Sequence, residues 1–318
     1  MKPAVSIIFF TVSSGAGLGL LALIALCDTF APESLPAEAL WRGALLGLAL
    51  VAIGLASSVL HLANPKNAWR SFARFKSSWL SREAVFSAAL FPVASLYIVL
   101  VIQGKGGASR ILLALLACAL AWTVLICTAM IYASLKPIRQ WHTRWTPVNY
   151  VLLGHWSGAL LLWAIACAYV ERSDPFLFVA GVFGLAALAA KLAYWHGIED
   201  SAQAPTLERA IGVREGVHGP GPISAAHARL LDVGHSHGTF LTSEFGFELA
   251  RRHARGLRAA ALALGFGLPL AWLVVGGVGW QPALAAAVCC IMGLLVERWL
   301  FFAEAKHTVR LYHGDPRT

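Results

Sequence analysis

Eight long apolar runs dominate the sequence and restrict it to one class of fold. They lie at approximately 5–27, 44–61, 84–101, 111–133, 148–170, 176–194, 259–279 and 283–303, and each is close to the roughly 20 residues with which a helix crosses a bilayer. Because lipid cannot satisfy the polar backbone of an open strand, each run is predicted to be a helix. Hydrophobic residues make up 58% of the sequence and charged residues 13%, which excludes an ordinary soluble enzyme. We predict an all-α polytopic membrane protein, a bundle of eight transmembrane helices, forming a single integral membrane domain over residues 1–318.

The basic residues predict how this bundle sits in the membrane. Of the 25 Lys and Arg residues, 21 fall at one side, which also carries both termini and the long loop 195–258. The positive-inside rule places that side in the cytoplasm. We therefore predict a multi-pass protein of the bacterial inner (cytoplasmic) membrane with both termini cytoplasmic, and we interpret the net charge of +9 as a topology signal and not as a nucleic-acid-binding surface.

Two further segments have alternative interpretations. Gly15, Gly17 and Gly19 resemble a dinucleotide-binding motif only in their letters, since no strand precedes them, and close helix packing is the preferred interpretation. The end of the long loop, about 242–258, is predicted to be helical and carries four arginines just before the seventh run. These arginines would anchor lipid headgroups, or form a docking face for a partner subunit, or do both.

Few residues within the runs suggest a bound metal or haem. The six Cys residues are scattered without a C-x-x-C spacing, whereas iron–sulfur clusters need closely spaced thiolates. His155 lies within the fifth run and is either a helix–helix contact or part of a cofactor pocket. We expect no haem, iron–sulfur cluster or metal site in this chain. We also expect no charge in the centres of the runs, with Lys191 and Arg298 at their predicted cytoplasmic ends, which argues against a transporter.

His61 and Glu83 are the strongest candidates for chemistry. His61 closes the second run and Glu83 opens the third, and the short connection between them places both at similar depth. A quinone site needs a hydrogen-bond partner, a proton carrier and an aromatic slot, and histidine exchanges protons near neutral pH. The alternative is an interfacial histidine and a carboxylate favoured by the helix dipole. The connection supplies further candidates: Asn64, Trp69, Arg70, Arg74, Trp79 and Arg82.

Several segments resemble the membrane anchor subunit of dimethyl-sulfoxide-reductase-type molybdoenzymes. They are Phe9-Phe10-Thr11 with Ser14-Gly15-Ala16-Gly17-Leu18-Gly19, His61-Leu62-Ala63-Asn64-Pro65, Ala68-Trp69-Arg70, Trp79-Leu80-Ser81-Arg82-Glu83 and Glu244 to Arg255. The resemblance implies a complex of three subunits, in which a molybdopterin catalytic subunit and a four-cluster iron–sulfur subunit dock on the anchor. It also implies that the anchor exchanges electrons with membrane ubiquinone or menaquinone, while molybdopterin and iron–sulfur clusters belong to the partners.

The resemblance implies that His61 and Glu83 are the family's quinone-site positions, with Ala63 where the family often has glycine. Together with residues of the connection they make up the predicted quinone site, in which His61 and Glu83 transfer protons: His61, Ala63, Asn64, Arg70, Arg74, Trp79, Arg82 and Glu83. The family has an arginine six residues after the histidine, where this chain has Asn67, so Arg70 or Arg74 is expected to take its place. The predicted cytoplasmic orientation favours the quinone-linked sulfite dehydrogenases within the family. Three alternatives stay open: the anchor of a dimethyl sulfoxide or related S-/N-oxide reductase that oxidises menaquinol, a purely structural tether, and a small-molecule transporter.

Overall fold

The computed structural model describes residues 4–59, 65–200, 249–275 and 279–308, and within these ranges the protein is helical. The α-helices are α1 (Val5–Phe30), α2 (Ala37–Val59), α3 (Trp79–Ile102), α4 (Ala108–Ala133), α5 (Trp145–Tyr169), α6 (Asp174–Asp200), α7 (Leu249–Leu262), α8 (Leu268–Val275) and α9 (Trp280–Ala303). A 3₁₀ segment, Pro65–Phe72, precedes α3, and a π turn, Ala263–Gly267, joins α7 to α8. With α7 and α8 forming one span, eight segments are long and apolar enough to cross a membrane, which confirms the predicted fold class.

The helices extend beyond several predicted runs, since α2 begins at Ala37 and not near 44 and α3 begins at Trp79 and not near 84. Similar extensions flank the long loop. Helix α6 continues to Asp200, whereas the sixth run was expected to end near 194. Helix α7 begins at Leu249, well before the seventh run at 259. Charged and polar residues occupy both extensions, which is why hydropathy alone ends the spans too early. Residues 201–248 lie outside the described ranges.

Helix α1 lies at the centre of the bundle and contacts α2, α4, α5 and α9. Its glycines make this possible because they bring backbones together. A Cβ on Gly17 would collide with the backbone of Gly47 on α2, and one on Gly19 would collide with Gly154 on α5. Small residues at helix contacts provide close packing in membrane proteins, where the hydrophobic effect no longer drives association. The interpretation of the α1 glycines as packing residues is therefore correct.

The π turn in the seventh span lies against α9 and α5. Gly265 packs directly on Gly293 of α9, where a side chain on Gly293 would overlap the Gly265 backbone. A π turn interrupts the regular helical hydrogen bonds, and the Gly265 carbonyl accepts one instead from the Trp156 indole N–H at 2.9 Å. The irregular backbone is thus satisfied by a neighbouring helix, as burial among apolar side chains requires.

The two ends of the bundle carry different polar contacts. The end formed by 65–78, 134–144 and 304–308 is called the basic end here. At the opposite end, Asp28 of α1 is buried, accepts from Arg110 Nε at 2.8 Å, and accepts from the Tyr97 hydroxyl at 3.0 Å. This ion pair connects α1 to the loop between α3 and α4, because Tyr97 is near the end of α3 and Arg110 opens α4.

Candidate functional site

Glu83 lies in the first turns of α3 at the basic end, and its side chain is turned into the protein. Ser78 caps this helix by accepting a hydrogen bond from the Ser81 amide, which fixes where α3 begins. Glu83 is only 3% exposed. Its carboxyl group contacts the Thr128 hydroxyl of α4. Within the described residues, this hydroxyl is the one hydrogen-bond partner of the Glu83 carboxyl group, which is unusual because a purely structural buried carboxylate is normally paired with a cation.

Thr128 allows Glu83 to exist with or without its proton. The hydroxyl has one hydrogen but faces two oxygens, Glu83 Oε1 and the Val124 carbonyl at 3.0 Å. When Glu83 is ionised, Thr128 donates to the carboxylate. When Glu83 is protonated, the acid donates to Thr128, and Thr128 donates to Val124. Because both forms are hydrogen-bonded without backbone movement, the pair can take up and release a proton.

Trp79 and Arg82 form the rim next to Glu83. The Arg82 guanidinium lies 4.3 Å from the centroid of the Trp79 ring, and it donates to the carbonyls of Phe75 at 3.1 Å and Lys76 at 2.8 Å. These bonds hold the segment that enters α3. Phe75 in turn packs edge-on against Phe86 at 5.7 Å. The result is a half-buried aromatic and cationic rim beside a buried acid.

The remaining predicted site residues are less closely associated with Glu83. Trp69, Arg70 and Arg74 are exposed, and Arg70 lies over the Trp69 ring at 5.8 Å. Among the described residues, neither Arg70 nor Arg74 forms an ion pair with an acidic side chain. His61, Ala63 and Asn64 lie outside the described residues. The structure therefore pairs Arg82 with Trp79 at the start of α3, where Glu83 also lies, and leaves Arg70 and Arg74 at the surface.

Sequence reasoning missed two polar groups near Glu83. Thr128 comes from a different helix, 45 residues away, and nothing in the pattern of α4 indicates the contact. Ser87 lies one helical turn after Glu83 on the same face, is 3% exposed, and has a hydroxyl with no hydrogen-bond partner among the described residues. Its spacing of four from Glu83 is a signal that could have found it.

A buried cluster of three charged side chains lies at the same end. Lys191 of α6 and Glu297 of α9 form an ion pair, and Arg298 Nε donates to Glu297 Oε2 at 2.5 Å. All three are at most 4% exposed. This cluster, called the charged triad below, lies near the basic ends of α6 and α9, where the sequence places Lys191 and Arg298, so the centres of the predicted runs stay free of charge. The triad is nevertheless enclosed, and hydropathy did not indicate that Glu297 pairs with the two cations inside the protein.

Aromatic rings surround the triad and separate it from water. Lys191 Nζ lies 4.3 Å from the Tyr194 ring and 4.9 Å from the Trp195 ring. The Arg298 guanidinium lies 4.3 Å from the Tyr150 ring and 5.0 Å from Phe301. Cations over aromatic faces gain most when they are desolvated. Tyr150 also stacks on Tyr132 at 5.8 Å, and Tyr132 lies one turn after Thr128, so the aromatic cluster extends from the triad towards Glu83.

The segment after α9 covers this cluster. Thr308 donates its amide hydrogen to the Pro137 carbonyl at 3.1 Å, and the Lys306 amide donates to Gln140 Oε1 at 3.2 Å. The Trp141 indole donates to the Phe301 carbonyl at 2.9 Å. On the α7 side, Arg258 pairs with Glu304 at 3.0 Å and lies over Trp195 at 5.4 Å, so at least this arginine of the basic segment 242–258 is bound within the protein.

His155 is a helix–helix contact in this structure. Its Nε2 accepts from the Trp122 indole N–H of α4 at 2.9 Å, and its Nδ1 lies 2.8 Å from the Val151 carbonyl. The ring is therefore neutral with its hydrogen on Nδ1, because the carbonyl can only accept. Both ring nitrogens have protein partners, which supports the first of the two interpretations of this residue.

Comparison with known proteins agrees with this architecture. Residues 1–220 match the family described as DMSO reductase anchor subunit (DmsC). The C subunit of sulfite dehydrogenase from Allochromatium vinosum is 33% identical, and the match spans 98% of this chain and 99% of that protein. The C subunit of anaerobic dimethyl sulfoxide reductase from Escherichia coli K12 is 28% identical over 35% of this chain and 39% of its own length. These relatives are subunits of oxidoreductase complexes. The chain therefore belongs to the DmsC family of membrane anchor subunits of dimethyl-sulfoxide-reductase-type enzymes.

Proposed function

We propose that this chain binds membrane quinone at the basic end and exchanges electrons between a partner iron–sulfur subunit and the quinone pool. The observation that carries the proposal is Glu83, a buried and proton-exchangeable acid next to an aromatic and cationic rim. A structural tether needs no such group, because a buried acid costs stability when it has no cationic partner, and Glu83 has none in the described ranges of the chain. The basic end is the cytoplasmic side in this proposal, and the molybdopterin and iron–sulfur partners dock there.

The residues present fit a quinone headgroup. Its two carbonyl oxygens need hydrogen-bond donors, and protonated Glu83 and the unpartnered Ser87 hydroxyl are both buried on one face of α3. Trp79 offers an aromatic surface at the rim. Quinone supplies the two-electron chemistry and takes up two protons on reduction to quinol. Arg70 or Arg74 and the sequence candidates His61, Ala63 and Asn64 complete the proposed site.

In the quinone-reducing direction, this chain supplies the protons. His61 protonates one carbonyl oxygen, since an ordinary histidine has a pKa of about 6.5 and exchanges protons readily at neutral pH. Glu83 passes protons inward from the rim. It can do so because Thr128 forms a hydrogen bond with the Glu83 carboxyl group in both its ionised and its protonated form. Electrons and protons both enter at one face, so the anchor itself pumps no protons in this proposal.

The preferred reaction of the whole complex is sulfite oxidation coupled to quinone reduction. The relative from Allochromatium vinosum, which matches along the full length, supports this choice, as does the predicted cytoplasmic basic end. The second candidate is oxidation of menaquinol by an S- or N-oxide reductase, which the shorter match to the Escherichia coli protein favours. Sulfite-dependent quinone reduction by the purified complex, compared with dimethyl-sulfoxide-dependent quinol oxidation, separates the two.

Substitution of the proton-transfer groups tests the site. We expect His61→Ala and Glu83→Gln each to reduce quinone-linked turnover of the assembled complex by roughly a hundredfold, as the loss of a positioned proton-transfer group does. Turnover with an artificial soluble acceptor should be unchanged, because that reaction bypasses the anchor. His196→Ala and Glu38→Gln are matched controls, since both side chains are exposed and lie outside the site. Near-normal quinone-linked turnover in both test variants would favour the structural tether.

A further inference from the structure

A small cavity lies between α1, α5 and α9, beside the charged triad. Its volume is about 20 Å³, and Thr11, Gly15, Tyr150, Ser157 and Arg298 are among the residues that line it. A cavity needs only about 10–15 Å³ of such volume to hold one water molecule. It is therefore large enough for one water and too small for a quinone ring, which separates it from the proposed quinone site.

Two polar groups of residues that line this cavity have no well-formed hydrogen bond within the described part of the protein. Arg298 Nη1 and the Tyr150 hydroxyl are both buried, and neither has a hydrogen bond among the described residues. Arg298 is 4% exposed and Tyr150 is 5% exposed. The guanidinium lies 4.3 Å from the centroid of the Tyr150 ring and interacts with the Tyr150 side chain, but Nη1 has no well-formed hydrogen bond there. A buried donor without an acceptor costs free energy, and more so when the group is charged.

Two other residues that line the cavity supply acceptors. The Thr11 hydroxyl donates to the Ile8 carbonyl at 3.0 Å, and the Ser157 hydroxyl donates to the Leu153 carbonyl at 2.9 Å. Each hydroxyl has used its single hydrogen and keeps lone pairs that can accept. The walls thus combine a cationic donor, a phenol that can donate or accept, and two acceptors. A buried water typically makes two to four hydrogen bonds with such groups.

We propose that this cavity is an internal hydration site, in which one water molecule accepts from Arg298 Nη1 and donates to Thr11 and Ser157. The water completes the hydrogen bonds of the guanidinium, whose Nε is held by Glu297. It joins α1, α5 and α9 at the triad and positions Arg298. The proposal does not depend on quinone binding, because it concerns only groups enclosed within the bundle.

Filling the cavity provides the first test. A Cβ on Gly15 would meet only Gly154 Cα, at 3.8 Å, so Gly15→Ala adds a methyl group beside the cavity without a collision. If the methyl group displaces a bound water, Arg298 loses a partner and the thermal unfolding midpoint of the complex falls. If the cavity is dry, the methyl group fills a void and the midpoint rises. Gly181→Ala is the matched control, since it is helical and a Cβ there meets nothing within 4 Å.

Radiolytic hydroxyl-radical labelling of the intact complex provides the second test. Radicals formed from a bound water modify adjacent side chains, so we expect Tyr150 to be labelled despite its burial and this labelling to fall severalfold in Gly15→Ala. Tyr97, which is buried at the opposite end with its hydroxyl on Asp28, should stay unlabelled. If Gly15→Ala does not assemble, Thr11→Val removes one acceptor with little change in shape and should also lower the labelling. An unlabelled Tyr150, labelling that persists in these variants, or a raised midpoint in Gly15→Ala would overturn the proposal.

Discussion

The charged triad places a net positive charge in the protein interior. Lys191 and Arg298 share one carboxylate, Glu297, and all three side chains are buried. Two cations and one anion leave one positive charge to be stabilised by the surrounding tyrosine, tryptophan and phenylalanine rings. Glu297 is therefore the residue on which the stability of this end depends, because it is the only anion that contacts both cations among the described residues.

We expect Glu297→Gln to destabilise the protein strongly. The change keeps the shape but leaves two buried cations without a counter-charge, and breaking a buried ion pair from one side costs about 3–5 kcal/mol. The midpoint of thermal or denaturant unfolding measures the loss. The exposed Glu38→Gln, which breaks only a surface pair with Arg42, should change stability by less than about 1 kcal/mol.

A second substitution checks the cause. Lys191→Met removes one of the cations that Glu297→Gln leaves unpaired, so the double variant should recover part of the lost stability. Additive losses in the double variant would show that the triad is not the source of the effect.

At the residue scale, the sequence predicted which single residues matter better than it predicted the side chains that they contact. Glu83 was found because it opens an apolar run beside His61 and an aromatic connection. Its partner Thr128 was not found, since a contact across 45 residues has no local pattern. The same holds for Lys191 and Glu297, which are 106 residues apart. Lys191 and Arg298 are interpreted from the sequence as the ends of their spans. A hydropathy profile falls at any charged residue, whether its side chain is in water or in a buried ion pair.

At the element scale, glycines determine how closely α1 approaches its neighbours. Gly17 is the most informative position, because a Cβ there would overlap the Gly47 carbonyl and lie 2.9 Å from Leu50 Cβ. We expect Gly17→Ala to push α1 away from α2 and to cost about 1–3 kcal/mol, as overpacking does. The unfolding midpoint in detergent measures this, with Gly181→Ala as the reference. An unchanged midpoint would mean that α2 can shift at no cost.

The elements show which features a hydropathy pattern can predict. Apolar runs predicted the helices and their number, since length and composition decide whether a segment can span lipid. They did not predict the π turn at Ala263–Gly267, which depends on Gly293 and Trp156 meeting it from α9 and α5. They also ended the sixth span early, because the helix continues past residue 194 with Trp195, which is buried in the aromatic cluster.

At the scale of the whole molecule, polar groups hold both ends of an apolar bundle. Asp28, Arg110 and Tyr97 fix one end, and the triad with its aromatic cover fixes the other. The middle packs through glycines and aliphatic side chains. Only the basic end combines these contacts with a buried acid that lacks a cationic partner in the described part of the protein. The bundle is thus asymmetric: one end has a paired buried acid, Asp28, and the other end has the buried acid Glu83 beside a neutral hydroxyl.

Because the two ends differ, the orientation of the bundle decides on which side of the membrane Glu83 lies. The orientation can be tested directly. We expect both termini and the loop 195–258 to be cytoplasmic, because 21 of the 25 Lys and Arg residues fall in segments that the alternation of spans assigns to one side of the membrane and translocating them is unfavourable. A cytoplasm-active reporter fused after residue 318 should be active, and a periplasm-active reporter at the same position should be silent. The internal control is a periplasm-active reporter placed near Lys105, in the loop at the opposite end, which should be active. A C-terminal reporter active only in the periplasm would put the Glu83 rim outside the cytoplasm, and the assignment to cytoplasmic sulfite oxidation would fall with it.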